Sequence, residues 1–196
     1  LTSGKFSRRL VGKGRVIATK FRAGGFYPYM QSSISALTDQ QLPLSAVFGG
    51  AGDDLERSIL ATDDDEHALK QMEQFLCERL PEHDPNVALV NEIIDVVMND
   101  RNMTKVDELV SRVHISKRSL QRLFSQYVGI SPKWVIQRYR LQEAIDQIVG
   151  TDTGNYTAMA QRLGYFDQAH FIKDFKMIVG VSPTEYARMA INPSSQ

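Results

Sequence analysis

Cysteine is nearly absent from this 196-residue sequence, in which Cys77 is the only one. A single cysteine excludes an intramolecular disulfide and a cysteine-rich zinc site, and it is typical of a reducing, cytoplasmic setting. We expect Cys77 to be a small buried hydrophobe on an amphipathic helix. The sequence also lacks a Ser-His-Asp grouping and a His-x-x-x-His helix. These absences favour a binding protein over an enzyme, with no metal or cofactor.

Long apolar runs and a signal peptide are also absent, which predicts a protein without membrane contact. A net charge is missing too, because 23 basic residues balance 23 acidic ones. The two halves of the chain nevertheless differ. Residues 1–100 hold 10 lysines and arginines against 15 acidic residues, whereas residues 101–196 hold 13 against 8. The resulting charges of −5 and +5 predict contact with nucleic acid through the second half only.

The stretch from Val106 to Tyr127 predicts two short helices separated by a tight turn. Thr104, with Asp107 three residues later, is expected to cap the first helix, and Ser116 to cap the second. Apolar residues of the second helix recur at helical spacing, at Leu120, Leu123, Phe124 and Tyr127. Its opposite face is basic and carries an amide, with Lys117, Arg118, Gln121 and Arg122. This is a helix-turn-helix arrangement, whose arginine and glutamine side chains suit guanine and adenine edges.

An ordinary helical hairpin with a solvated basic face would show the same pattern, but here the pattern occurs twice. The matching positions of the two copies are Leu120 and Phe171, Phe124 and Phe175, Gly129 and Gly180, Ser131 and Ser182, and Pro132 and Pro183. The second copy has one extra residue in its turn, within Gly164-Tyr165-Phe166. A long internal repeat of this kind favours a duplicated helix-turn-helix unit over the simple hairpin.

The first part of the chain predicts strand and loop followed by one helix. Residues 16–21 are rich in β-forming side chains, and residues 31–58 are expected to hold turns and packed connecting segments. The acidic run 63–66 predicts the first turn of a helix that ends near Leu80, with a metal site as the sharper alternative. A proline at each end of residues 81–85 predicts a linker, so we divide the chain into segment 1–83 and domain 84–196.

Two longer helices are predicted around the repeated units. Residues 86–99 carry an apolar stripe, which forms either a dimer seam or, as we prefer, the support of the first unit. Ser131 and Pro132 begin a helix that continues to about Val149. At about 27 Å for 18 residues it approaches the roughly 34 Å between successive major grooves on one face of DNA. The predicted fold class is α+β, with a mostly helical C-terminal domain after a partial, β-containing, sensor-like segment.

The second unit carries the most specific pattern, formed by Ala160, Gly164, Tyr165, Asp167, Phe171, Phe175, Lys176, Gly180, Ser182, Pro183 and Tyr186. With it the sequence resembles the AraC/XylS family of transcription regulators over roughly residues 86–190. The resemblance implies a sequence-specific DNA-binding domain of seven helices, in which a long helix joins two helix-turn-helix units. By the family pattern, the base-reading positions are Arg118, Gln121 and Arg122 in the first unit and Gln168, Ala169, His170, Ile172 and Lys173 in the second. Ala169 and Ile172 cannot hydrogen-bond a base edge, so the second unit reads less sequence or touches thymine methyl groups.

Residues 1–80 resemble the end of a cupin-like sensor domain of the sort often placed before such regulators. They supply too few strands for a jelly roll and the chain begins with leucine, so we expect the first part of a sensor to be missing. The implied partners are double-stranded DNA, RNA polymerase, a small-molecule effector at the N-terminal segment and a second copy of the chain. The operator, the effector and the choice between activation and repression stay open.

Two other functions compete with DNA-binding regulation. One is a DNA-modifying or repair enzyme with an accessory helix-turn-helix domain, and the other is a helical protein-interaction module. Relatives of the domain that are fused to DNA-alkyl-repair modules use a cysteine cluster, which the single Cys77 does not supply. The basic, amide-rich outer faces of both copies argue against the interaction module.

Overall fold

A computed structural model describes Val11, Gly14 and residues 16–100, 102–150 and 155–191. Before the predicted linker lie α1 (Tyr27–Met30), a 3₁₀ helix (Ile34–Leu37), α2 (Ser45–Phe48), α3 (Gly50–Ala61) and α4 (Asp65–Glu78). After it lie α5 (Pro85–Asn99), α6 (Val106–Val113), α7 (Lys117–Tyr127), α8 (Pro132–Gly150), α9 (Tyr156–Arg162), α10 (Gln168–Val179) and α11 (Pro183–Ile191). None of the described helices is both long and apolar enough to cross a membrane.

The predicted α+β fold class is wrong, because the described residues contain helices and no strand. Residues 16–21, rich in β-forming side chains, have no regular secondary structure. No other strand lies among the described residues, so this segment has no partner for ladder hydrogen bonds, and Val16 is 77% exposed. An isolated strand leaves its backbone groups unpaired and buries no apolar face, so β propensity alone does not make one.

Helix α3 occupies residues for which the sequence predicts turns and connecting segments. Its first turn contains Gly50 and Gly52, and glycine lowers the propensity for a helix. Gly52 is required by close packing, since an added Cβ would lie 2.6 Å from the carbonyl carbon of Leu44. Helix α4 begins as predicted, with the Asp64 carboxylate accepting hydrogen bonds from the backbone amides of the next turn. The acidic run therefore caps a helix, and the described residues hold no group of acids, histidines and cysteines suited to a metal ion.

The prediction that Cys77 is buried is wrong, because its side chain lies exposed on α4. The buried face of α4 is formed by Ala68 and Phe75. The Phe75 ring packs edge-on against Phe48 at 5.0 Å between ring centres. Cys77 follows Phe75 by two residues, or about 200° around the helix, and therefore points away from this contact.

Helices α5, α6 and α7 enclose the first core together with the start of α8. Its members include completely buried side chains from each of the first three helices: Val90, Leu109, Leu120 and Phe124. The stripe on α5 supplies Val90, Ile93, Ile94 and Val97, which confirms that α5 supports the first unit. Met98, at the end of the same stripe, is 51% exposed.

Helices α9, α10 and α11 enclose the second core together with the end of α8. Phe171 and Phe175 are fully buried there, with their ring centres 5.7 Å apart. Helix α8 contributes Val135 and Ile136 to the first core and Leu141, Ala144 and Ile148 to the second. One continuous helix of 19 residues is thus built into both units, as the sequence predicts.

Residues of the N-terminal segment pack directly on the first unit. The Tyr27 ring lies 4.1 Å from the Tyr127 ring at the end of α7, and the Asn91 side-chain amide donates to the Ala23 carbonyl at 3.0 Å. Thr38 donates to the Gly129 carbonyl at 2.7 Å, so the 3₁₀ helix is held beside the turn that follows α7. Contacts therefore cross from the segment before the predicted linker to the helix that carries the predicted DNA-binding residues.

Candidate nucleic-acid interface

The two candidate recognition helices begin in the same way. The Ser116 hydroxyl accepts a hydrogen bond from the Ser119 backbone amide at 3.1 Å at the start of α7. The Asp167 carboxylate accepts one from the His170 backbone amide at 2.7 Å at the start of α10. Both caps satisfy otherwise unpaired N–H groups of the first turn, and the Ser116 cap is predicted by the sequence. They fix where each helix begins and hence which side chains face outward.

The first helix of the first unit begins differently from the prediction. Thr104 and Asp107 do not form a capping pair; the Glu108 carboxylate instead accepts from the backbone amides of Thr104 and Lys105, at 2.8 and 3.2 Å. These hydrogen bonds hold the pKa of Glu108 below its ordinary value, against the opposing effect of burial. Glu108 is one residue further on than the acid that the sequence singles out, and its longer side chain reaches back to the amides.

The predicted residues of the first unit lie together on the outer face of α7. Lys117, Arg118, Gln121 and Arg122 are all exposed, while Leu120 and Phe124 on the inner face are fully buried. The Lys117 ammonium is paired with the Asp107 carboxylate at 2.8 Å, which ties the start of α7 to α6. Among the described residues, the other three outer side chains make no ion pair or side-chain hydrogen bond. They are therefore available to a ligand.

The predicted DNA-binding residues of the second unit differ in how far their side chains are exposed to solvent. Ala169, His170 and Lys173 are exposed, whereas Gln168 and Ile172 are half-buried. Gln168 accepts a hydrogen bond from the Thr157 hydroxyl at 2.6 Å, which ties the start of α10 to α9. This contact is equivalent in the repeat to the Lys117 ion pair. Ile172 packs against the second core and shows only part of its side chain to solvent.

His170 stands at the edge of a small polar cluster. Its ring packs edge-on against Tyr165 at 5.5 Å, and its Nε2 lies 3.7 Å from the carboxylate of Asp174. Asp174 is buried and accepts a hydrogen bond from the Gln137 side chain of α8 at 2.7 Å. The His170 ring is therefore positioned by contacts to residues of α10 and, through Asp174, of α8. Its exposed edge faces solvent.

Phe166 is a further candidate contact residue, which is not among the positions predicted from the sequence. It is 93% exposed, immediately before the cap of α10, whereas its neighbour Tyr165 is buried. The signal in the sequence is the extra residue in the turn of the second copy, which brings two aromatic residues together. The Tyr165 ring is buried in the second core, and the Phe166 ring faces solvent next to the start of α10.

The family of sequences described as "Helix-turn-helix domain" matches residues 109–189, from within α6 to within α11. The chain carries an AraC/XylS-type helix-turn-helix domain. This confirms the resemblance found in the sequence. The matched range contains the whole of α7, α8, α9 and α10, with most of α6 and α11.

Proteins that are similar to this chain include two named transcriptional regulators and one solved structure. An uncharacterized HTH-type transcriptional regulator of Haemophilus influenzae is 31% identical over 124 residues, covering 62% of this chain and 40% of the relative. The HTH-type transcriptional regulator MtrA of Neisseria gonorrhoeae is 29% identical over 100 residues, covering 51% and 32%. The C-terminal domain of AraT, a response regulator from Geobacillus stearothermophilus, is similar with 24% identity and a TM-score of 0.47, over 55% of this chain and 88% of that one. The chain spans less than half the length of the first two relatives, both of which are named HTH-type transcriptional regulators.

Proposed function

We propose that this chain regulates transcription by placing α7 and α10 in two adjacent major-groove segments of one operator. The observation that carries the proposal is the repeated outer face: two capped helices, each with exposed cations or amides, built on one shared helix. The 19 residues of α8 span about 28 Å, which is comparable with the roughly 34 Å between successive major grooves. The chain would act by binding and not by catalysis.

In the first unit, Arg118, Gln121 and Arg122 are proposed to read base edges. Arginine can donate two parallel hydrogen bonds to guanine, and glutamine can exchange two with adenine. Lys117 is better suited to a phosphate, because lysine binds phosphate as a point charge; it would have to exchange its ion pair with Asp107 for that contact.

In the second unit, apolar and polar contacts are combined. Ala169, the exposed part of Ile172 and the Phe166 ring offer apolar surface to thymine methyl groups. His170 and Lys173 supply the polar contacts, and Gln168 is partly occupied by Thr157. The second unit would therefore favour segments rich in A·T pairs.

Regulation is proposed to reach the DNA-binding face through α1. Tyr29 donates to the Leu76 carbonyl of α4 at 3.1 Å, while Tyr27, two residues earlier, packs on Tyr127 of α7. The same short helix thus contacts both the N-terminal helices and the first recognition helix. A small-molecule effector at the N-terminal side, a second copy of the chain and RNA polymerase are the partners we propose for the cytoplasmic regulator.

A salt titration of the full chain on random duplex DNA tests the proposed binding. Affinity should fall steeply as salt rises, because bound lysines and arginines release counterions from the DNA. Random DNA offers no matched bases, so the two arginines would bind it as positive charges. The double variant Arg118→Ala/Arg122→Ala should therefore lower this non-specific affinity and reduce the slope of log K against log salt by about 0.9 for each of the two arginines that contacts a phosphate of random DNA.

The matched control is Arg57→Ala/Lys70→Ala, which removes two exposed positive charges from α3 and α4. It should leave both affinity and slope nearly unchanged. Equal losses in the two double variants would show that the whole-chain charge, and not the outer face of α7, determines binding.

A further inference from the structure

The two units touch directly at a point outside α8. Gly164, in the turn before α10, has a left-handed backbone with φ +67°. A Cβ added to Gly164 would lie 2.6 Å from the methyl carbon of Thr104, which leads into α6. The backbone of the second unit thus lies close to a side chain of the first, and one additional carbon would require the Thr104 side chain to shift.

Arg140 closes the other side of this contact. It stands on α8 between Ile136, which belongs to the first core, and Leu141, which belongs to the second. Its Nη2 lies 3.3 Å from the carbon that Gly164 would gain, and its Cζ lies 4.5 Å from the centre of the Tyr165 ring. The position that a Cβ of Gly164 would occupy therefore lies between a residue of the first unit and a residue of the connecting helix, although Gly164 itself is exposed to solvent.

The chemistry of Arg140 is unusual for a residue that only fills space. Its side chain is 8% exposed, and its Nε and Nη2 have no hydrogen-bond partner among the described residues. Burial lowers the pKa of the guanidinium, while Tyr165, Asp174 and Glu108 act in the opposite direction. A buried cation is often less stabilising than an apolar residue of similar volume. Stability alone therefore does not account for an arginine at this position.

A role in fixing the orientation of the second unit does account for an arginine at position 140. A guanidinium over an aromatic face is a directional contact, which weakens when the ring moves sideways or tilts. Tyr165 lies two residues before the cap of α10, so the position of its ring is coupled to the direction of that helix. Arg140 and Tyr165 can thus favour one angle between the units, where an apolar pair would tolerate several.

We propose that Thr104, Arg140, Gly164 and Tyr165 form an inter-unit joint that sets the spacing and angle of α7 and α10 on DNA. Arg140 is a positioning residue, because it is buried and acts through Tyr165. The inference rests on the proposed two-segment binding. A preset joint raises affinity for two segments at one spacing without a new DNA contact, since less orientational freedom is lost on binding.

The test uses the full chain and a DNA duplex that the chain selects from a random library. Footprinting defines the two segments of that duplex that the chain protects. Affinity is then measured for the whole duplex, for each segment alone, and for duplexes with extra base pairs between the segments. Gly164→Ala should lower affinity for the two-segment duplex by about tenfold or more, which is part of the gain that linked binding provides. Affinity for either single segment should change little. Thr104→Ser removes the methyl carbon that the new Cβ would meet, so the double variant should recover much of the two-segment affinity. Arg140→Met should flatten the dependence on spacing while helical content is retained.

The outcomes separate this joint from its premises. A loss in Gly164→Ala that is equal on all duplexes and is not relieved by Thr104→Ser would overturn the joint, because strain at a left-handed residue alone predicts that result. If Gly164→Ala does not fold, unchanged spacing dependence in a folded Arg140→Met variant overturns it as well. If the unmodified chain binds two segments no better than one, the proposed two-segment function fails instead.

Discussion

Arg122→Ala is the substitution that most directly separates reading of a base from positioning on the backbone. Arg122 is exposed on α7, four residues after Arg118, and makes no ion pair or side-chain hydrogen bond with another described residue. The neighbouring Leu123 and Phe124 supply the packing of this turn to the first core. Truncation should therefore change the free energy of unfolding by no more than about 0.5 kcal/mol.

Its effect on binding should be larger than its effect on folding. If Arg122 donates to guanine O6 and N7, the alanine variant should lose about 1–3 kcal/mol on the operator, or roughly 5- to 150-fold in affinity. The preference at one base pair should also become flat. If it contacts a phosphate, all sequences should weaken about equally and the salt slope should fall by about 0.9.

We expect the base-reading result. The assay is a fluorescence titration of the full chain on the operator and on its single-base variants, at two salt concentrations. Arg188→Ala, which removes an exposed arginine from α11, is the control for loss of charge within the same domain. A uniform loss across all duplexes with a shallower salt slope would refute base reading by Arg122.

Three further outcomes are expected. Two alanines inserted after Gln142 should rotate one unit relative to the other by about 200°. Affinity for the operator should then be lost while circular dichroism still shows the helices. Unchanged affinity would mean that the two units bind independently. His114→Gly should raise the free energy of unfolding by about 0.5–1 kcal/mol in a thermal melt. The φ of +54° costs a non-glycine residue about 1–2 kcal/mol, and the greater chain entropy of glycine in the unfolded state cancels about half of the gain. A lower melting temperature would contradict this. The pKa of Glu108 is lowered in the folded protein, so its carboxylate stabilises the fold above pH 4.5, the ordinary pKa. This stabilisation is lost as the pH falls through the lower pKa of the folded state. Glu108→Gln should therefore make the free energy of unfolding less dependent on pH in that range, and an unchanged pH profile would argue against the cap.

The C-terminal half is predictable from sequence because its local signals agree with its packing. Ser116 and Asp167 cap the helices that follow them, and the phenylalanines at equivalent positions of the repeat are buried. Capping and helical spacing are local properties of the sequence. Because the unit is duplicated, a pattern found in one copy can be compared with the same positions of the other. The assignments of the outer-face residues, such as Arg118 and Lys173, remain predictions that DNA binding will test.

The N-terminal half depends on contacts between distant residues, which spacing does not reveal. The β propensity of residues 16–21 has no effect without a partner strand, and α3 forms despite its glycines because Gly52 lets it approach Leu44. Packing on one face of α4 likewise decides that Phe75 is buried and Cys77 is exposed. In each of these cases tertiary packing outweighs local propensity.

The two units have equivalent shapes but different outer faces, and this difference has a consequence for the operator. Arg118 and Gln121 of the first unit correspond in the repeat to Ala169 and Ile172 of the second. The first face offers donors for purine edges, whereas the second offers apolar surface that suits thymine methyl groups. A single chain should therefore prefer two unlike segments in one order. Such an operator has a direction, so the N-terminal segment packed on the first unit would lie on a defined side of the site.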